Sequence, residues 1–171
     1  MSIKLNQIVI GDNNPFVLIA GPCVVENEKM IFETAMAIKQ IAADLDIPFI
    51  FKSSFKKANR TNLKSFTGLG DKESIAILKK VREQLNLSVV TDIHTESDVD
   101  MVVDAVDILQ IPAFLSRQTD LLIAAGKSGK VVNIKKGQFL APEDMKHAVD
   151  KVVSTENNKI MLTERGTTFG Y

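Results

Sequence analysis

The sequence predicts an α/β fold. Three observations carry that prediction. Short apolar runs recur along the chain, they alternate with segments of helical spacing, and within the runs the apolar residues are continuous. Continuous apolar strands are what a parallel sheet covered on both faces requires. Strict βα alternation leaves two architectures, an open doubly wound sheet or a (β/α)8 barrel. No glycine-rich fingerprint follows the first core run, which weakens the dinucleotide-binding version of the former.

The elements follow in order. Residues 7–10 and 16–19 are apolar runs with Gly11-Asp12-Asn13-Asn14 between them, which reads as a hairpin over the N-terminal segment 1–14 and into the first core strand. Gly21-Pro22-Cys23 breaks that strand. Asn27 is an N-cap with Glu28 in the first turn, and Ile31, Ala35, Ile38, Ala42 and Leu45 carry a helix to about Asp46. A strand over 49–51 and a basic loop precede a helix over 72–85, with Ile75, Leu78, Val81 and Leu85 on one face. Residues 88–92 are a strand, and Thr95 caps a short helix with Val99, Val102 and Val103 inward. Strands over 107–110 and 131–134 bracket a helix over about 117–127, which Gly126 or Gly129 stops. Pro142 opens the last helix at a first helical position, with Glu143 and Asp144 in its first turn. Met145, Ala148, Val149 and Val152 form its inner face, and 159–163 is the last strand. The tally is six core strands and five helices in one domain spanning 1–171.

Composition narrows the function classes. The chain has 171 residues, 45% hydrophobic and 25% charged, with 21 basic residues against 21 acidic. A net charge of zero argues against a nucleic-acid binder, which would carry a basic surplus. No apolar stretch approaches the ~18 residues of a membrane span, and the N-terminus lacks a signal-peptide core. One cysteine, Cys23, permits no internal disulfide, so a reducing cytoplasm is the expected compartment.

Charge is nevertheless concentrated locally. Between Lys52 and Gly70 stand Lys52, Lys56, Lys57, Arg60 and Lys64, with no acid until Asp71. Ser53, Ser54, Asn59, Thr61 and Asn62 are interleaved with them. A bland reading is a solvated basic loop. A loop leaving the end of a buried strand is also where α/β folds place their sites, and lysines, an arginine and neutral donors suit a phosphate. The other strand ends are polar too: Cys23 with Glu26; Asp92 and His94; Gln110 and Arg117, near Gln118 and Asp120; Asn133, Lys135, Lys136 and Gln138; Glu164 and Arg165. Lys52, Lys135 and Arg165, from three strands, would make a cage for a polyanion. Singly, Cys23 reads first as a small core residue, His94 as either functional or structural, and His147 as a helix-surface or packing residue.

Seven motifs in register turn these readings toward a family. They are Gly21-Pro22-Cys23, Phe51-Lys52 with Lys57-Ala58-Asn59-Arg60, Thr91-Asp92-Ile93-His94, Gln110-Ile111-Pro112-Ala113-Phe114-Leu115, Arg117-Gln118-Thr119-Asp120, Asn133-Ile134-Lys135-Lys136-Gly137-Gln138-Phe139, and Glu164-Arg165-Gly166. Together they resemble the 3-deoxy-D-manno-octulosonate 8-phosphate (KDO8P) synthases over residues 15–171. The related DAHP synthases share the barrel and phosphoenolpyruvate. They usually carry a Pro-Arg-Thr-Ser-type stretch where this chain has Lys-Ala-Asn-Arg, which favours the pentose phosphate over erythrose 4-phosphate. A DAHP synthase-like enzyme and a non-catalytic phosphometabolite-binding fragment are the alternatives.

The resemblance implies a (β/α)8 barrel that condenses phosphoenolpyruvate, D-arabinose 5-phosphate and water to KDO8P and phosphate, in lipopolysaccharide biosynthesis, as a homo-oligomer (a tetramer in the family). By carry-over, Lys52, Lys57, Lys135 and Arg165 would hold phosphoenolpyruvate, with backbone near Ala113. Ser54, Asn59, Arg60 and Thr61 would hold the sugar phosphate. Asp92, His94 and Gln138 would line the reacting centre, with Gln110 and Arg117 among the substrate-binding residues. The metal-dependent branch of the family has Cys where the other has Asn, so the resemblance makes Cys23 a ligand for a divalent ion such as Zn, Fe or Mn. Its barrel has eight strands, of which this sequence supplies six. The remaining ligands, a His, a Glu and an Asp, would lie beyond Tyr171, and a sheet ending here would expose an unpaired edge.

Overall fold

A computed structural model describes residues 2–168. Met1 and residues 169–171, part of the expected 1–171 span, lie outside them. The chain is α/β, with an N-terminal hairpin, six parallel strands and five α-helices among the described residues. This is the strand–helix alternation of a (β/α)8 barrel carried through six strands. It is divided between two compact units. The first takes the described residues up to Thr91 with Asp104–Asp107; the second takes Asp92–Val103 and the described residues from Ile108 onward.

The hairpin opens the first unit within the segment 1–14 that the sequence suggests, but its reversal is not at the expected turn. β1 (Ile3–Leu5) pairs antiparallel with β2 (Ile8–Ile10), Leu5 opposite Ile8. The reversal is at Asn6-Gln7, and Asn6 takes φ 53°, a left-handed conformation that Asn tolerates. Gly11-Asp12-Asn13-Asn14 is a second turn, closed by the Asn14 N–H on the Gly11 carbonyl at 3.3 Å. The apolar run at 16–19 therefore belongs to the core sheet alone.

β3 (Leu18–Ala20), β4 (Phe49–Lys52) and β5 (Ser88–Asp92) lie parallel, with Leu18 opposite Phe49 and Ile50 opposite Ser88. Ile50, Phe51, Val89 and Val90 are fully buried, as continuous apolar runs require. α1 (Glu28–Asp44) starts where Asn27 accepts the Met30 N–H at 2.8 Å. It buries Ile31, Ala35 and Ala42, while Ile38 is half-buried and Leu45 exposed, a narrower stripe than its spacing suggests. α2 (Asp71–Gln84) turns Ser74, Ile77, Leu78 and Val81 inward; Ile75 and Leu85 sit at the edge of that face. Asp107 locks this unit. Its carboxylate accepts Arg82 Nε at 3.0 Å and the buried Val89 N–H at 2.9 Å.

In the second unit β6 (Ile108–Ile111), β7 (Val131–Lys135) and β8 (Ile160–Thr163) are parallel. Gln110 stands opposite Asn133, and Lys135 opposite Thr163. α3 (Glu96–Val102) follows Thr95 and buries Val99 and Val102, with Val103 half-buried. A 3-10 turn over Ala113–Leu115 precedes α4 (Thr119–Lys127), so the helix begins later than residue 117. Pro142–Asp144 forms another 3-10 turn before α5 (Met145–Val153), which buries Met145, Ala148 and Val152 and leaves Val149 half-buried.

Candidate functional site

The polar residues of the first unit gather where β3 and β4 end. After Ala20 the chain crosses close over β4: a Cβ on Gly21, whose φ is +155°, would overlap the Lys52 carbonyl oxygen. Only glycine passes there. Beyond it Val24 bridges Ser54, and the Val25 N–H donates to the Ser54 carbonyl at 3.0 Å. This brings Cys23 next to the basic loop. The Lys57 ammonium donates to the Cys23 sulfur, and Cys23 is exposed, so it is not core filler. Lys52 Nζ donates to Ser54 Oγ at 2.9 Å.

The loop is anchored rather than merely solvated. Phe55 is fully buried and its N–H donates to Thr91 Oγ1 at 3.2 Å; the Lys57 N–H donates to the Thr67 carbonyl at 2.8 Å. Lys56 lies 4.8 Å over the Phe55 ring and 3.6 Å from Asp71, which gives it a packing role. Ser53 Oγ is buried with no hydrogen-bond partner among the described residues. Asn59, Arg60 and Thr61 are exposed on the far part of the loop, away from these contacts.

In the second unit His94 Nε2 lies 3.1 Å from Asp92 Oδ2. The sequence reading missed Asp98, which is 1% exposed. Its Oδ2 accepts the His94 N–H at 2.7 Å and the Thr95 N–H at 3.0 Å, and stands 3.5 Å from His94 Nδ1. Both ring nitrogens thus face carboxylates. An acid three residues after a helix-capping threonine was the available signal. Gln110 is buried and the Gln138 side chain half-buried; each has an Oε1 oxygen with no partner among the described residues, an acceptor available to a hydroxyl or water. Ala113 is buried, its carbonyl close to Gly137, where a Cβ would also meet the Phe139 ring. Lys135 is half-buried at the end of β7.

Neighbours of Lys135 prove structural. Asn133 Oδ1 accepts Thr163 Oγ1 at 2.8 Å, tying β7 to β8. Lys136, 3% exposed, donates to the carbonyls of Gly137, Leu140 and Gly166 at 3.2, 3.1 and 2.9 Å and lies 3.4 Å from Glu164. Burial would raise the Glu164 carboxyl, but the Gly166 and Arg165 N–H groups and the Lys136 ammonium outweigh it and hold it below its ordinary range. Arg165 and Arg117 are exposed. His147 is exposed on α5, as the sequence suggested.

A divalent ion needs several donors. Among the described residues no group of three or more His, Cys, Asp or Glu side chains could hold one. Cys23 offers a single sulfur, faced by the Lys57 ammonium. The described residues therefore do not fit a metal site by themselves.

Comparison with known proteins gives consistent results. The model of the DAHP synthetase I family matches residues 1–171. The chain is similar to proteins named 2-dehydro-3-deoxyphosphooctonate aldolase. That of Desulfatibacillum aliphaticivorans is 56% identical over 97% of this chain and 61% of the relative. That of Syntrophotalea carbinolica is 54% identical over 99% and 61%, and that of Geotalea uraniireducens 53% over 99% and 62%. The chain thus spans about three fifths of the length of these curated relatives.

Proposed function

The chain belongs to the DAHP synthetase I family, and on that premise we propose that it carries the phosphoenolpyruvate and aldose-phosphate sites of a KDO8P synthase. The names of relatives more than half identical to it support this reading. So does the observation that carries it: each unit has a parallel strand that ends in a cation, Lys52 on β4 and Lys135 on β7, with Lys57 in the loop after β4 and Arg165 beyond β8. Residues 1–171 are then one stretch of a single barrel domain, whose strand C-termini form the active-site face.

The chemistry asks for this kind of set. C3 of phosphoenolpyruvate forms a bond to the aldehyde carbon of D-arabinose 5-phosphate, water adds at C2, and inorganic phosphate leaves C2. Charge develops between two phosphates, and fixed cations stabilise it without reorganising. Lys52, Lys57, Lys135 and Arg165 bind phosphoenolpyruvate beside the backbone of Ala113. Ser54, Asn59, Arg60 and Thr61 bind the sugar phosphate, and their fixed separation supplies proximity. Asp92 holds the His94 ring, which moves a proton at the reacting carbonyl. The Oε1 atoms of Gln110 and Gln138 accept hydroxyl or water protons. Arg117 lines a cavity that none of these residues shares.

A divalent ion would polarise the aldehyde or activate the water. Cys23 would be one ligand, with the other donors from outside the described residues; no step above runs through it. The test of Cys23 is Cys23→Asn: a chelator response identical to that of the parent removes the thiol from metal binding.

No helix among the described residues is long and apolar enough to cross a membrane. A cytoplasmic, self-associating protein is the compartment and state this function suits. Phosphate release and phosphoenolpyruvate binding, measured with arabinose 5-phosphate and with erythrose 4-phosphate, test the whole reading. Preference for the pentose is expected. Preference for erythrose 4-phosphate would favour the DAHP synthase activity that the family's description brings to mind. Binding without turnover would leave the non-catalytic phosphometabolite binder.

A further inference from the structure

We propose that Asp98 is a positioning residue for the proton step: it keeps a proton on His94 Nδ1, so that His94 exchanges protons only at Nε2, beside Asp92. For the substrate this rests on the synthase reading above; for the ring it rests on the geometry alone.

That geometry is built where β5 ends and α3 begins. Ile93 is fully buried and its N–H donates to the Gln110 carbonyl at 3.0 Å, so the backbone between Asp92 and His94 is fixed. Asp98, in the first turn of α3, is 1% exposed. An acid at this position need only reach back to the N–H of the capping threonine. Asp98 does more. Its Oδ2 accepts the Thr95 N–H at 3.0 Å and the His94 N–H at 2.7 Å, and it also stands 3.5 Å from His94 Nδ1. At that distance the contact with the ring is a charge facing a nitrogen rather than a full hydrogen bond.

The two carboxylates beside the ring are not equivalent. Asp92 Oδ2 lies 3.1 Å from Nε2, and its side chain is 16% exposed against 1% for that of Asp98. A charge acts more strongly from the drier side. Asp98 Oδ2 is engaged by two backbone N–H donors and serves as an acceptor, with no room for the ring proton. Asp92 Oδ2 is within hydrogen-bond reach of Nε2 and can share one. A buried carboxylate on one nitrogen of an imidazole fixes its tautomer and leaves the other nitrogen to exchange protons. The proton given to the aldehyde oxygen, which becomes a hydroxyl, then leaves Nε2, while the Nδ1 proton stays in place facing Asp98.

The experiment is nitrogen-15 spectroscopy of the imidazole rings in the labelled full chain. The chain has two histidines, and His147, exposed on α5, is the internal reference. At a pH where both rings are neutral, His94 should show a protonated Nδ1 and a bare Nε2, and His147 the tautomer mixture of a solvated ring. Asp98→Asn keeps an oxygen for the two backbone N–H groups and removes the charge. It should shift the His94 tautomer ratio about tenfold toward the Nε2–H form. Asp92→Asn leaves Asp98 in place and should retain the Nδ1–H form. The proposal is overturned if the parent carries its proton on Nε2, if Asp98→Asn keeps the parental ratio, or if Asp92→Asn loses the Nδ1–H form. Phosphate release with phosphoenolpyruvate and arabinose 5-phosphate separates this proposal from the synthase reading. A parent silent in that assay but protonated at Nδ1 counts against the synthase reading and supports the ring assignment. In an active parent, Asp98→Asn should lower kcat about a hundredfold with KM unchanged; a parental kcat would overturn the positioning role.

Discussion

Lys136→Met tests whether the buried lysine after β7 holds the segments that carry Gln138 and Arg165. The substitution keeps the stem and removes the ammonium. In the parent, that ammonium donates to three carbonyls and lies 3.4 Å from Glu164. Hydrogen bonds to a charged group contribute ~1.5–3 kcal/mol each. Gly166 is exposed, so its carbonyl regains water, and Glu164 is 61% exposed, which reduces its ion pair to a small contribution. The Gly137 and Leu140 carbonyls carry most of the loss. Against the small gain of a methionine stem, the net cost is about 3 kcal/mol. For a chain of this size that lowers the thermal midpoint by about 6–12 °C. Circular dichroism melts of parent and variant measure it. Phosphoenolpyruvate affinity, by calorimetry, should fall in the same variant because the segment carrying its proposed contact Arg165 loses its tether. A midpoint equal to the parent's would refute the reasoning, since a lysine this buried cannot lose three acceptors without cost.

Three further outcomes are expected. Arg60→Ala should weaken arabinose 5-phosphate binding about ten- to hundredfold, the cost of one charged contact, and leave phosphoenolpyruvate nearly unaffected; equal losses would refute the division of the two phosphates. Asp107→Ala should cost about 2–3 kcal/mol in urea unfolding, less than a fully buried pair because Arg82 stays 32% exposed, with the stranded Val89 N–H the larger part. Glu164 titrates below its ordinary range, so its contribution is complete above the ordinary carboxylate pKa and is lost as pH falls through the lowered folded value. The protection of the Gly166 amide relative to its intrinsic exchange rate should fall on that acid side, and Glu164→Gln should abolish the pH step.

The sequence by itself determined the fold class and the order of elements. Continuous apolar runs such as Phe49-Ile50-Phe51 and Val131-Val132-Asn133-Ile134 can be satisfied only by burial on both faces, and Asn27 announces α1 through a local hydrogen bond. It also located the polar strand ends, because a strand's exit is written in adjacent residues. What it could not decide depends on contacts between distant positions. The first hairpin turned on the left-handed backbone of Asn6 rather than on the more conspicuous Gly11-Asp12-Asn13-Asn14. Two adjacent lysines, equal as letters, separated into Lys135 at the end of β7 and Lys136, just past it, buried among the carbonyls of Gly137, Leu140 and Gly166. Only tertiary structure placed the Lys57 ammonium on the Cys23 sulfur, 34 residues away. Residue types state which chemistry is available; the parallel register and the close crossing at Gly21 decide which side chains meet to perform it.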